Sequence, residues 1–465
     1  MQPESSKQKM VAKREPPQKE KAGQITLAPL PKTIEDGPMI RMQLSSSFMD
    51  SYFPLEEEKR VETIGINVFY YLTSNTLQLP HHSGMLKKAI GAISCMYLGK
   101  VNNDPTMVQN SIGLYNQAIS GLVAKIQKGC LSDDVFYTVV LFQAYETLHC
   151  RRGILTWLEH TRATGVILRQ FRHKSAENPL IHMIYNNYQK LAFTHSISTP
   201  AIKSEEEYQY LMNLAGPGHI DKLFKLYVGI AKLRKELEDA DTSDHKRCNA
   251  LNYECNALKE KINEWYITER SNFGGVPCQC DPRKAVFTDL PSTNQLFGLS
   301  FEFPSLDIAR LYILYWTALV LVEPLIHRAR TLIEPDPSTI HSQETPTHHE
   351  YLISEYFADQ VCRALPFCLQ PKMKTWGVHV VIASMAQICK PYIFLRRQSK
   401  FDWCLRAYEL MVERGMDLAL FLKYSAYQQW ATMEDADELQ ALARLSLKDP
   451  LSPELTHNRE ATEVL

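Results

Sequence analysis

Cysteine and histidine are the residues of this chain that could bind a metal or act as nucleophiles. The eleven cysteines include no Cys-x2-Cys pair, and the closest two are Cys278-x-Cys280. A structural zinc site needs four ligands, and no histidine lies close to this pair in sequence. We therefore predict no metal site, and we interpret the cysteines as reduced, mostly structural thiols.

The paired histidines and the paired aspartates are further candidates for metal binding, but their spacing does not favour it. His81-His82 and His348-His349 lack the i, i+4 spacing of the HExxH metal motif, which favours surface positions. Asp133-Asp134 would suit a helical enzyme that binds magnesium diphosphate, but such a site needs another acid three or four residues further on. The four residues that follow Asp134 are all uncharged.

Other enzyme motifs are also missing from the sequence. It contains no GxSxG elbow, no P-loop and no GxGxxG loop. We predict no catalytic residue, no metal ligand and no cofactor, and hence a protein that is not an enzyme.

The element around which the chain is organised is a predicted helical triplet from Met107 to Phe171. The first helix has apolar residues in steps of four and three, from Val108 to Ile126. The second helix is apolar almost all round from Val135 to Tyr145, with Ser132 as its N-cap. The third has a broad apolar face and an internal Gly165, which another helix crossing closely would explain.

The remaining chain also has helical periodicity and no convincing strand alternation, so the predicted class is all-α. We expect a multihelical array of antiparallel helices with long irregular inserts at about 270–304 and 334–349. Helices are predicted at 48–53, 61–77, 86–98, 180–193, 220–238, 243–266, 308–322, 376–388 and 403–422, with a kink or an end at Pro324. The predicted domains are an arm at 1–45, a helical body at 46–430 and a C-terminal helix and tail at 431–465.

The types and spacing of several residues resemble the pattern of the fungal-specific transcription factor domain. This domain is the helical middle homology region of fungal zinc-cluster regulators. The resemblance rests on three segments: the triplet, a helix that closes on a Trp, and the block from Tyr356 to Cys368. It extends over about residues 60 to 430. The residues that match the pattern, which the resemblance implies are scaffold residues, are Tyr115, Ala118, Leu122, Glu146, Trp157, His160, Gly165, Leu168 and Trp265.

The binuclear zinc cluster that reads DNA in this family has no counterpart in the sequence, because the first cysteine is Cys95, inside a predicted helix. The resemblance therefore implies a regulatory half that reaches DNA only indirectly, through coregulators or DNA-binding partner proteins. It implies a nuclear location. A homodimer and an unknown small-molecule effector remain open, as does a gene product truncated at its N-terminus.

Charge and hydropathy limit the partners of the body. The 51 basic and 52 acidic residues nearly cancel, which gives no electrostatic argument for direct nucleic-acid binding. The longest apolar run, Leu311 to Val322, is too short to span a bilayer, so we predict a buried helix and no membrane partner. The arm is rich in Pro, Lys, Gln and Glu and is predicted to be disordered. Its basic residues are candidates for contacts with the nuclear-import machinery or the DNA backbone: Lys7, Lys9, Lys13 and Arg14. The alternative is a solvated tail.

Two alternatives accompany this interpretation. The apolar helices could line a cavity for an effector, although core packing explains the same residues. A helical enzyme or small-molecule-binding protein on the same scaffold is the competing class, and convergent titratable side chains around a cavity would favour it.

Overall fold

The computed structural model describes residues 38–54, 83–150, 165–167, 170, 204–213, 218–273, 275–279, 290–333 and 349–448. Helix accounts for 82% of this described part, which confirms the all-α prediction. The one sheet found there is an antiparallel pair of two-residue strands, β1 (Cys278–Gln279) and β2 (Phe301–Glu302). That strand pair was not predicted, and it lies within the predicted insert at 270–304.

Twelve helices pack against each other in the described part of the chain. In chain order they are α1 (Pro38–Tyr52), α2 (Gly84–Val101), α3 (Pro105–Gln127), α4 (Asp133–Leu148), α5 (Glu205–Asn213), α6 (His219–Glu238), α7 (His245–Glu269), α8 (Leu306–Ile333), α9 (His349–Cys368), α10 (Lys374–Phe394), α11 (Gln398–Glu413) and α12 (Asp417–Lys448).

The first two helices of the predicted triplet, α3 and α4, pack with α2. Asp104 accepts hydrogen bonds from the backbone N–H groups of Thr106 and Met107 and so caps α3. Ser132 is the N-cap of α4, as predicted, although its hydroxyl makes no capping bond. Of the third predicted helix, only residues 165–167 are described as helical.

The helix α8 contacts four others, α6, α7, α9 and α10. The segments 306–333 and 371–394 are long and apolar enough to cross a membrane, yet 78% and 72% of their most apolar stretches are buried inside the structure. Burial against neighbouring helices accounts for that apolar character, as in the core of a folded domain.

The prediction that a helix would kink or end at Pro324 is wrong as to the end, because α8 continues to Ile333. Proline has no N–H to donate to the carbonyl of Val320, four residues earlier. The hydroxyl of Ser354 on α9 donates to that carbonyl instead, at 3.3 Å. A side chain from a neighbouring helix thus supplies the hydrogen bond that the proline cannot donate to the Val320 carbonyl.

Replacing Ser354 with alanine should therefore destabilise the fold by about 1–3 kcal/mol, since the buried carbonyl of Val320 would lose its donor. Ser120→Ala is the matched control, because the exposed Ser120 hydroxyl bonds only within its own helix, to Asn116. The control should change the free energy of unfolding by no more than about 0.5 kcal/mol. Equal effects of the two substitutions in urea denaturation would contradict this account.

Three further boundaries differ from the predictions. The helix expected at 403–422 is two helices, α11 and α12, separated near Gly415, whose φ of +88° is readily adopted by glycine. The first helix begins at Pro38, inside the predicted arm. The last helix runs to Lys448 and crosses the predicted boundary at 430/431 without a break. The predicted helices at 61–77 and 180–193 lie outside the described residues.

Candidate functional site

Tyr115 and Glu146, two of the residues that carry the family resemblance, join α3 to α4. The Tyr115 hydroxyl donates to Glu146 Oε1 at 2.6 Å. Its ring stacks on Tyr145, with 4.2 Å between centroids and 9° between planes. Burial, and then the neighbouring Glu146 carboxylate, raise the pKa of Tyr115 far above its usual range. These contacts fit the predicted scaffold role.

Of the other residues that match the family pattern, some are packed in the core and others lie outside the described residues. Ala118 and Leu122 are buried on α3. At Gly165, an added Cβ would meet no described atom within 4 Å, and the segments on either side of 165–167 lie outside the described residues. Trp157, His160 and Leu168 lie outside the described residues, as do Lys7, Lys9, Lys13 and Arg14.

Trp265 is buried at the junction of α6 and α7, and its indole Nε1–H donates to the His219 carbonyl at 3.2 Å. Beside it, Glu269 is 2% exposed and accepts from Lys222 at 2.8 Å and from Asn272 at 3.0 Å, with His219 as a further ion-pair partner. Burial would raise the pKa of Glu269, but these partners together lower it. Glu269 was not singled out from the sequence.

A second polar cluster, also missed from the sequence, joins α9 to α11. Lys400 Nζ lies 2.8 Å from both Glu355 Oε1 and Asp359 Oδ2, and Arg397 donates to Glu355 at 2.9 Å. Burial would lower the pKa of Lys400, but its two carboxylate partners raise it. The i, i+4 spacing of Glu355 and Asp359 was the available signal, because like charges at this spacing repel each other and a cation between them relieves the repulsion.

Thiols and phenols are buried beside this cluster. The Tyr392 hydroxyl donates to Asp359 at 2.9 Å and lies 3.4 Å from the Cys362 sulfur. Burial raises the pKa of the Cys404 thiol well above its ordinary value, and Cys362 and Cys389 next to it raise it further. A thiol held protonated in this way is a poor nucleophile and a poor metal ligand. In the described ranges, no three His, Cys, Asp or Glu side chains are placed to hold a metal ion.

Asp133 and Asp134 lie in the first turn of α4, where the sequence predicted a helix-capping role. Asp134 also accepts a hydrogen bond from the Ser83 N–H at 2.6 Å, which ties α4 to the start of α2. This arrangement favours the structural interpretation of the pair over diphosphate binding.

The feature best suited to contacting another molecule is an apolar stripe on α12, formed by Leu420, Tyr424 and Tyr427. These side chains are 50%, 61% and 57% exposed. Their spacing of four and then three places them on one face of the helix. Ala426 and Trp430, on the adjoining side of the helix, are buried in the core. We refer to the exposed residues as the α12 stripe.

One side of the α12 stripe is bordered by ion pairs with α11. Lys423 Nζ lies 2.6 Å from Glu409 Oε1, and Arg406 lies 2.9 Å from Glu409 Oε2. An apolar centre with a charged margin is the composition of a protein-binding surface. Neither the stripe nor its margin was singled out from the sequence, although Leu420 and its neighbours were predicted to be helical.

No family model matches the chain, and no curated protein or solved structure matches it either. The relation to the fungal-specific transcription factor domain therefore stays a prediction from the residues quoted above.

Proposed function

We propose that this protein is a helical regulator of transcription that acts in the nucleus by contacting partner proteins and reaches DNA only through them. The family resemblance supports the regulatory role, and the balanced charge of the chain agrees with indirect DNA association. The polar clusters around Glu269 and Lys400 are ion-paired, so they act as ties between helices. On this proposal the protein carries out no catalysis of its own.

The observation that carries the proposal is the α12 stripe. A large apolar side chain that stands alone on a surface needs no explanation, but three at helical spacing form a contiguous patch. Residues at steps of four and three match the seam along which two helices pack. We assign the stripe to an amphipathic helix of a coregulator, because tyrosine at the centre of such a seam is a frequent source of binding energy.

Tethering the protein to a reporter gene tests this function directly. The full chain is fused to an unrelated DNA-binding domain, whose binding site lies upstream of the reporter gene in fungal cells. We expect the reporter level to differ from that with the DNA-binding domain alone, upward for an activator or downward for a repressor. An unchanged level, with the fusion present in the nucleus at equal abundance, would contradict the proposed function.

The alternative of a helical enzyme has no support among the described residues, where the buried acids Glu269 and Glu323 lie in ion pairs.

A further inference from the structure

The α12 stripe lies on a helix that continues beyond it. The helix runs from Asp417 to Lys448 without a break, and the last residue of the stripe is Tyr427. A partner helix that packs along the stripe therefore also extends over the turns of α12 that follow. The chemistry of those turns determines which kind of partner fits.

The turns of α12 beyond the stripe are strongly acidic in sequence. We refer to residues 434–438 as the acidic segment, because four of them are acids: Glu434, Asp435, Asp437 and Glu438. Residues 424–443 contain no lysine, arginine or histidine, so the helix supplies no base of its own within one turn of these acids. Like charges at i, i+4, as in Glu434 and Glu438, disfavour a helix. Cations supplied by a partner would relieve this repulsion.

Three of the acids continue the helix face on which the stripe lies. Glu434 follows Tyr427 by seven residues, which is close to two helical turns. Asp435 follows Tyr424 by eleven residues, which is close to three turns. Glu438 follows Tyr427 by eleven residues as well. One face of α12 therefore has an apolar segment followed by an acidic one.

We infer that the partner of the α12 stripe is a basic amphipathic helix. Its apolar face covers the stripe, and its lysine or arginine residues lie over the acidic segment. The centres of the two segments are about 18 Å apart along the axis, so the partner's cations lie about twelve residues from its apolar residues. A second copy of α12 in parallel register is disfavoured, because the two acidic segments would face each other. This inference rests on the proposed function, in which the stripe is the binding surface.

The first measurement selects binders of the purified full-length protein from a displayed library of randomised helical peptides, each about 25 residues long and so able to cover both segments. Only peptides that lose binding to the variant Leu420→Gln, Tyr424→Gln and Tyr427→Gln are counted, because these use the stripe. We expect lysine and arginine to be enriched about twelve positions from the apolar residues of these peptides. Enrichment of acids there, no charge preference, or a selection without any stripe-dependent binder would overturn the inference.

The second measurement reverses the charge of the acidic segment in the variant Glu434→Lys, Asp435→Lys and Glu438→Lys. The selected peptides should bind this variant at least about tenfold more weakly than the wild type, and replacing their cations with glutamate should restore binding.

The control for the charge reversal replaces three exposed acids of α5 and α7, in the variant Glu206→Lys, Glu260→Lys and Glu264→Lys. It changes the net charge of the protein by the same amount and should bind the selected peptides like the wild type. Equal binding to both lysine variants would overturn the inference. Because such peptides would still need the stripe, that result would leave the proposed function standing.

Discussion

Replacing Gly377 with alanine should destabilise the protein by about 3 kcal/mol, because the added methyl group would overlap atoms that are already tightly packed. Gly377 lies in the first turns of α10, where that helix passes the end of α9. A Cβ on Gly377 would lie 1.9 Å from the carbonyl oxygen of Cys368 and 2.9 Å from Met373 Cβ. The nearest clashing atom belongs to the backbone, so no change of side-chain rotamer can relieve it. The connection between α9 and α10 would have to move.

The matched control for this prediction is Gly113→Ala. Gly113 lies within α3, and an added Cβ there would meet nothing within 4 Å. Alanine should stabilise the helix by up to about 1 kcal/mol, because it restricts the unfolded chain and favours helix. Urea denaturation followed by circular dichroism measures both variants. If Gly377→Ala unfolded at the same urea concentration as the wild type, the close contact between α9 and α10 would be refuted.

The periodicity of the apolar residues sufficed to predict the fold class and most helices. An amphipathic helix buries one face, so its apolar residues recur at a spacing that is visible in the sequence. The predicted helices at 220–238 and 243–266 correspond to α6 and α7 within three residues at each end. Local sequence patterns failed to predict the structure where contacts between distant parts of the chain determine it. Pro324 is tolerated inside α8 because Ser354 comes from a different helix, and no local pattern contains that partner. Gly415 was a local signal for a helix end that the prediction overlooked.

The polar clusters were harder to predict than the core, for a related reason. A buried charge can be held by a partner that is distant in sequence, as Lys222 of α6 holds Glu269 of α7 from 47 residues away. The sequence showed the family-like residues Tyr115 and Glu146 but not their 2.6 Å bond.

The second large effect is expected from substitutions in the α12 stripe, because we expect the protein to bind its coregulator through these residues. The variant Leu420→Gln, Tyr424→Gln and Tyr427→Gln removes the apolar seam and keeps good helix formers at all three positions. The three side chains are at least 50% exposed, so the free energy of unfolding should change little. Loss of three central contact residues should weaken coregulator binding by more than about tenfold.

The control is Tyr253→Gln, which removes a tyrosine that is 75% exposed on α7, away from the stripe. It loses a comparable exposed aromatic surface without altering α12. It therefore separates a specific effect of the seam from a general effect of surface hydrophobicity.

The most direct test of the account is the reporter level produced by three tethered full-length chains: the wild type, the stripe variant and Tyr253→Gln. We predict that the wild type and Tyr253→Gln shift the reporter equally, and that the stripe variant returns it to the level of the DNA-binding domain alone. A stripe variant as active as the wild type, at equal nuclear abundance, would contradict the claim that this protein regulates through the exposed face of α12.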